Sequence, residues 1–321
     1  MEEQRIELTA FSEKVRILKE QISRIIVGQD QSIDLILTCL LADGHVLLEG
    51  VPGVAKTLAA KLISRLIDAR FSRIQFTPDL MPSDVLGTSV FNMKTSEFDF
   101  HKGPVFSDIV LVDEINRAPA KTQAALFEVM EERQITNDGK KYSMGALYTI
   151  LATQNPVEQE GTYKLPEAQL DRFLMKITMG YPSLEEEVEI LKRSQQHQNG
   201  EALKTIQPVL TIDELLEMRR LLDEVAVDDS MLNYISQIVQ RSRNSRAVYL
   251  GASPRASVAI LKSAKAYALL QGRDFLTPDD VKFVAPFVMH HRLILTAEAE
   301  MEGLTPLKVA QRLIDKIEVP K

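Results

Sequence analysis

Residues Gly50-Val51-Pro52-Gly53-Val54-Ala55-Lys56-Thr57 have the types and spacing needed to hold a phosphate chain. They nearly spell G-x-x-x-x-G-K-[ST], with Ala55 at the second glycine position. The stretch lies between an apolar run at Val46-Leu47-Leu48 and a helical pattern through Leu58, Leu62, Ile63 and Leu66, the context such a loop requires. Glycines let backbone N–H groups curl around phosphate oxygens, and a helix N-terminus adds the positive end of its dipole. Lys56 would reach the β- and γ-phosphates, and Thr57 would offer a hydroxyl to Mg²⁺. Alanine resists positive φ, so the substitution predicts a right-handed helical conformation for Ala55 at the loop's exit. A glycine turn that merely caps a helix is the competing reading of the loop taken alone.

Two further groups count against that reading. Ile109-Val110-Leu111-Val112 runs into Asp113-Glu114, a buried-strand pattern that would deliver adjacent carboxylates to the ligand edge of a parallel sheet. Asp113 suits a Mg²⁺ ion held through its water shell, and Glu114 suits polarisation of an attacking water. Thr149-Ile150-Leu151-Ala152 leads into Thr153-Gln154-Asn155-Pro156. The Asn155 amide donates and accepts at once, so it can bond a γ-phosphate and a water together.

The elements that must position these residues follow from hydrophobic periodicity. Short apolar runs alternate with helical patterns up to about residue 182, as in a parallel sheet flanked by helices. Ile74-Gln75-Phe76 and Lys176-Ile177-Thr178-Met179 complete five candidate strands, and all but the former are apolar enough to be buried on both faces. Ser89 to Phe100 and Gln134 to Tyr142 read as inserted hairpins, turning at Thr95-Ser96 and Asp138-Gly139. Before the sheet, Phe11, Val15, Leu18, Ile22 and Ile25 mark an amphipathic helix within residues 1–27.

After Pro182 the pattern is helical. Ser183 with Glu186 and Thr211 with Glu214 form capping boxes, and Ser253-Pro254, Thr277-Pro278 and Thr305-Pro306 each set a cap residue before a proline. A loop is expected across Gln195 to Glu201. The expected organisation is an α/β nucleotide-binding domain over 1–182 and an all-helical domain over 183–321.

Composition excludes several classes. The 321 residues are 45% hydrophobic and 26% charged, ordinary globular usage, and 38 basic against 45 acidic residues give a net charge of −7. That balance disfavours broad wrapping of nucleic acid. The single cysteine, Cys39, lies among leucines and permits no intrachain disulfide, which fits a reducing compartment. No secretory signal or membrane span is read, so a cytoplasmic location is expected. The five histidines form no H-E-x-x-H pattern, and Glu185-Glu186-Glu187 suits the first turn of a helix. Arg241, Arg243 and Arg246 with Tyr249 read as ordinary charges at a helix end.

In sequence order, the Gly50 to Thr57 loop, Val112-Asp113-Glu114-Ile115-Asn116-Arg117-Ala118, Ala152 to Pro156 and Leu170-Asp171-Arg172-Phe173 resemble an AAA+ ATPase, specifically the MoxR family. The resemblance covers nearly the whole chain. It implies the P-loop AAA+ fold, a five-stranded parallel sheet with hairpin insertions and a helical lid, assembled as a homo-oligomeric ring, typically a hexamer. It implies ATP and Mg²⁺ as ligands, with Gly50, Val51, Pro52, Gly53, Val54, Ala55, Lys56, Thr57 and Leu58 around the phosphates and Val27-Gly28 at the adenine. Lys56 and Thr57 resemble the Walker A residues, Asp113 and Glu114 the Walker B pair, and Asn155 sensor 1. Arg172 resembles the arginine finger, with Arg117 as a rival, and Arg255 resembles sensor 2.

A guanidinium supplied by a neighbouring subunit stabilises charge spreading over the transferred phosphoryl. The family implies remodelling or activation of a protein partner, of the kind that carries a von Willebrand factor A domain. A DNA-associated motor, a magnesium-chelatase-like motor subunit and a nucleotide switch that barely hydrolyses are the alternatives.

Overall fold

The computed structural model describes residues 2–156, 162–195 and 206–320. Helices α1 (Glu2–Ser23) and α2 (Asp30–Leu41) lead into β1 (Val46–Glu49), α3 (Lys56–Leu66), β2 (Phe71–Gln75) and the short α4 (Pro82–Leu86). A hairpin of β3 (Gly87–Asn92) and β4 (Glu97–Lys102) precedes β5 (Ile109–Asp113), a 3-10 turn at Ile115–Arg117 and α5 (Ala120–Glu132). A second hairpin, β6 (Gln134–Asn137) and β7 (Lys140–Ser143), precedes β8 (Thr149–Gln154), α6 (Glu167–Leu170) and β9 (Met175–Thr178).

The remaining elements are mostly helical: α7 (Leu184–Gln195), α8 (Ile212–Arg220), α9 (Asp229–Arg243), α10 (Pro254–Leu270), α11 (Pro278–Met289), α12 (Ala297–Met301) and α13 (Pro306–Asp315). Among them β10 (Val248–Leu250) pairs antiparallel with β11 (Ile294–Leu295), and a 3-10 turn spans His290–Arg292. Strands of two and three residues carry too little periodicity to be read from sequence. Beyond Gln195, the loop expected to Glu201 lies outside the described residues. No helix among the described residues is long and apolar enough to cross a membrane.

The five expected strands form one parallel sheet in the order β2-β5-β8-β1-β9. β2 is an edge strand in which Ile74 alone is buried, whereas all of β5 and most of β8 and β1 are buried. Because β8 sits between β5 and β1, the residues that follow these three strands emerge side by side. That juxtaposition assembles the site. Phe11, Val15, Leu18 and Ile22 of α1 are buried and join the core shared by α2, α3 and the C-terminal helices.

Capping follows most of the sequence signals; Ser253 stands at the N-terminus of α10, but its side chain makes no cap hydrogen bond there. Thr211 and Glu214 bond each other's backbone N–H, as do Thr277 and Asp280, and the Thr305 hydroxyl accepts from Lys308 N.

Three buried histidines serve the backbone. His45 Nε2 donates to Met130 O at 3.1 Å while its Nδ1 accepts from Ile150 N at 3.0 Å, so both partners demand the neutral ring. Burial pulls His45 down to about 4 and His290 to about 3, and holds His291 well below its ordinary value. In the unfolded chain these rings protonate near pH ~6.5. Their contribution is therefore complete above that pH and lost as acid protonates the unfolded chain but not the native one. Urea-unfolding stability is expected to be flat from pH 7 to 8 and to fall below pH 6, by about 1.4 kcal/mol per pH unit for each histidine. A flat profile down to pH 5 would show that these rings titrate in the folded protein as they do when free.

Candidate active site

The loop after β1 carries positive φ at Gly53 (90°) and at Ala55 (63°, with ψ 20°). The expectation of a right-handed Ala55 is thus corrected: this residue is left-handed and caps α3. Such a conformation costs an L-residue about 1–2 kcal/mol. Ala55 gives no side-chain cap to α3, so the first-turn N–H groups are left for a ligand. Lys56 Nζ donates to Gly50 O at 2.5 Å, folding the ammonium back across the mouth of the loop.

Ala55→Gly is expected to raise the free energy of unfolding by up to about 1 kcal/mol, relief of the left-handed strain exceeding the added freedom of the unfolded chain. A denaturant titration checks it, and a lowered midpoint would mean that packing of the methyl outweighs the strain.

The two carboxylates lie at the end of β5. Asp113 is buried and takes Arg73 Nε at 2.6 Å, the Thr153 hydroxyl at 3.2 Å and the Thr57 hydroxyl at 3.5 Å. The same Thr153 hydroxyl accepts from Glu114 N at 2.9 Å, locking the strand end against β8. Glu114 itself is left-handed, with φ 58°, and its Oε2 accepts from Gln75 Nε2 at 2.9 Å and Arg117 Nη1 at 3.1 Å. Asn155 is buried just past β8, between the strands that end in the loop and in the carboxylates. The structure thereby brings Lys56, Thr57, Asp113, Glu114 and Asn155 to one edge of the sheet.

Arg172 and Arg255 are elsewhere. Both line a cleft of about 400 Å³ with Arg133, Asp171, Lys262 and Arg292, and no residue of the Gly50–Leu58 loop, nor Asp113, Glu114 or Asn155, lines it. Arg172 pairs with Glu131 and its Nη1 lies 3.5 Å from Phe127 O. The Arg255 side chain is 85% exposed and lies 3.5 Å from Asp171 Oδ2. Arg117, by contrast, engages its own chain's Glu114.

The Val27-Gly28 segment meets α7. Gly28 has φ 74°, a conformation that favours glycine, and the Glu186 carboxyl lies against it, 2.5 Å from where a Cβ would stand. Glu186, read from sequence as a helix-end charge, therefore also borders this segment. Arg73, Gln75, Thr153, Asp171 and Arg292 were missed as well. Each acts through a partner distant in sequence, and no local spacing announces such a pair.

Comparison with known proteins bears on the whole chain. The model of the ATPase family associated with various cellular activities matches residues 45–175, and an AAA lid model matches 240–317. An uncharacterised Bacillus subtilis protein, YeaC, is 47% identical, over 94% of this chain and 93% of its own length. The chaperone MoxR1 of Mycobacterium tuberculosis is 44% identical over 310 residues, covering 94% of this chain and 81% of that one.

This chain belongs to the MoxR family of AAA+ ATPases.

A crystal structure from Cytophaga hutchinsonii, assigned as an ATPase, superimposes on this MoxR-family chain with a TM-score of 0.90 at 38% identity, covering 100% of this chain and 99% of the other. The MoxR-family fold accounts for the arrangement above: a parallel sheet presenting the Gly50–Thr57 loop and the Asp113-Glu114 carboxylates at one edge, followed by a helical lid. ATP hydrolysis is the chemistry of this MoxR-family chain.

Proposed function

We propose that this ATPase works as a homo-oligomeric ring, hexameric as in its family, coupling ATP hydrolysis to the remodelling or activation of protein partners. Gly50 to Leu58 would cradle the phosphates, with Val27 and Gly28 at the adenine. Thr57 and Asp113 present only hydroxyl and carboxylate oxygens, a donor set that fits a hard divalent cation such as Mg²⁺. A cation held by Thr57 and Asp113 would supply positive charge against the phosphate oxygens. Glu114 would leave Gln75 and Arg117 to polarise the attacking water, and Asn155 would orient that water against the γ-phosphate.

The observation that carries this reading is the shared cleft of Arg172 and Arg255, apart from the chain's own phosphate loop. Two guanidiniums set away from their own site can serve a neighbour's, which makes hydrolysis depend on assembly. A protein partner with a von Willebrand factor A domain is the class that the family implies, and the MoxR1 relative is itself called a chaperone.

Steady-state hydrolysis per subunit is expected to rise cooperatively with protein concentration and to rise further on adding such a partner. A rate independent of concentration across the range in which the protein assembles would overturn the ring reading. Assembly-dependent hydrolysis that no such partner alters would overturn the choice of partner.

A further inference from the structure

The turn between α11 and β11 grips the segment that carries Arg172. Arg292 is 7% exposed, and its Nε donates to Asp171 Oδ1 at 2.6 Å. Its Nη2 donates to the carbonyls of Asp171 at 3.3 Å and Phe173 at 2.9 Å. Its Nη1 donates to Leu174 O at 3.2 Å and to Val288 O. The two preceding residues extend the grip, His291 Nε2 to Phe173 O at 3.0 Å and His290 Nε2 to Lys176 O at 2.7 Å. Three consecutive residues thus hold one carboxylate and four carbonyls between Asp171 and Lys176.

That segment leaves the four-residue α6 and enters an edge strand; its N–H groups from Asp171 to Leu174 already donate to backbone carbonyls, and the turn supplies donors to its carbonyls. The other Asp171 oxygen faces Arg255 at 3.5 Å. Asp171 therefore stands between the buried Arg292 and the exposed Arg255, immediately before Arg172. A carboxylate released from Arg292 would be free to draw in the guanidinium of Arg255 or of Arg172, because its charge would have lost its nearest partner.

We propose that Arg292 is a positioning residue for ATP hydrolysis: it fixes the Arg172 segment and occupies Asp171, so that Arg172 and Arg255 are presented together to a neighbouring subunit's nucleotide. This rests on the reading of Arg172 as a group that acts on a neighbour. It also makes the lid turn and the Arg172 segment one mechanical unit. A planar fork is needed, since an ammonium cannot reach a carboxylate and several carbonyls at once.

The test is Arg292→Lys. Hydrolysis per subunit is expected to fall at least tenfold while affinity for ADP with Mg²⁺ stays within twofold. The variant is then mixed with an excess of Lys56→Ala subunits, which lack a working phosphate site but keep intact arginines. Hydrolysis per Arg292→Lys subunit is expected to recover to the level of wild type in the same mixture. A merely structural defect would not recover, because the damaged subunit would still supply the only working site.

Arg172→Ala mixed with Lys56→Ala is the control. If that pair fails to recover, the trans reading beneath the proposal falls. If it recovers and the Arg292→Lys pair does not, the role of Arg292 is overturned, as it is if Arg292→Lys alone hydrolyses like wild type. Should Arg292→Lys fail to fold, Asp171→Asn leaves Arg292 its carbonyl acceptors and is judged by the same mixing result.

Discussion

Arg172→Ala is expected to lower hydrolysis per subunit about 10³-fold at protein concentrations where the wild type is assembled, the lower bound for an arginine supplied in trans. Nucleotide affinity should hardly change, because the cleft containing Arg172 includes no residue of the Gly50–Leu58 loop. Loss of fold does not explain such an effect. Arg172 and its partner Glu131 are 33% and 60% exposed, and a pair of that kind contributes only about 0–1 kcal/mol. Phosphate release and ADP affinity, measured side by side, separate the possibilities. Turnover within tenfold of wild type would remove Arg172 from the catalytic set and direct attention to Arg117, whose present partner is Glu114 of the same chain.

Glu114→Gln is the second large effect. Removing the carboxylate that would polarise the water is expected to cost about 10²–10⁴ in turnover, the usual range for a general base. The amide is nearly isosteric, and the bonds that Glu114 makes to Gln75 and Arg117 lie at the rim of the site, so ATP should still bind. Lys56→Ala should behave differently, losing affinity for the phosphates together with hydrolysis. Binding of labelled ATP to Glu114→Gln, with turnover followed in parallel, checks both statements. Hydrolysis within threefold of wild type would mean that the water is activated by another group. Loss of ATP binding would mean that Glu114 helps to build the phosphate site.

The resting geometry adds a requirement. Glu114 is left-handed and tied to Gln75 and Arg117, so it must release at least one of them before it can face a water near the γ-phosphate. Arg73 on Asp113 sits where a cation's shell would compete for the same carboxylate. These three contacts come from the edge strand β2 and the turn after β5, elements outside the Gly50–Thr57 loop.

The sequence by itself determined the local features. Apolar runs at Val46, Ile109 and Thr149 marked buried strands because a parallel strand covered on both faces is apolar throughout. The run at Lys176 located β9 but not its burial: β9 is an edge strand with Lys176 half-buried and Thr178 exposed, so the expectation of cover on both faces is corrected there. The loop from Gly50 to Thr57, the Asp113-Glu114 pair and the threonine caps were legible because each rests on residues a few positions apart. Ala55 was misjudged because the turn from β1 into α3 sets its backbone conformation whatever the side chain, at a cost that the surrounding structure sustains.

Tertiary structure alone decided the rest. The placement of β8 between β5 and β1 brings Asn155 beside the loop and the carboxylates. Packing of the C-terminal helices puts Arg255 in the Arg172 cleft, and the His290–Arg292 turn against Asp171. Asp171 lies 84 positions from Arg255 and 121 from Arg292, joined to them by charge and hydrogen bonding rather than by any sequence period. Spacing along a chain records what a strand, a turn or a helix end needs, whereas contacts between distant elements exist only once the core has closed.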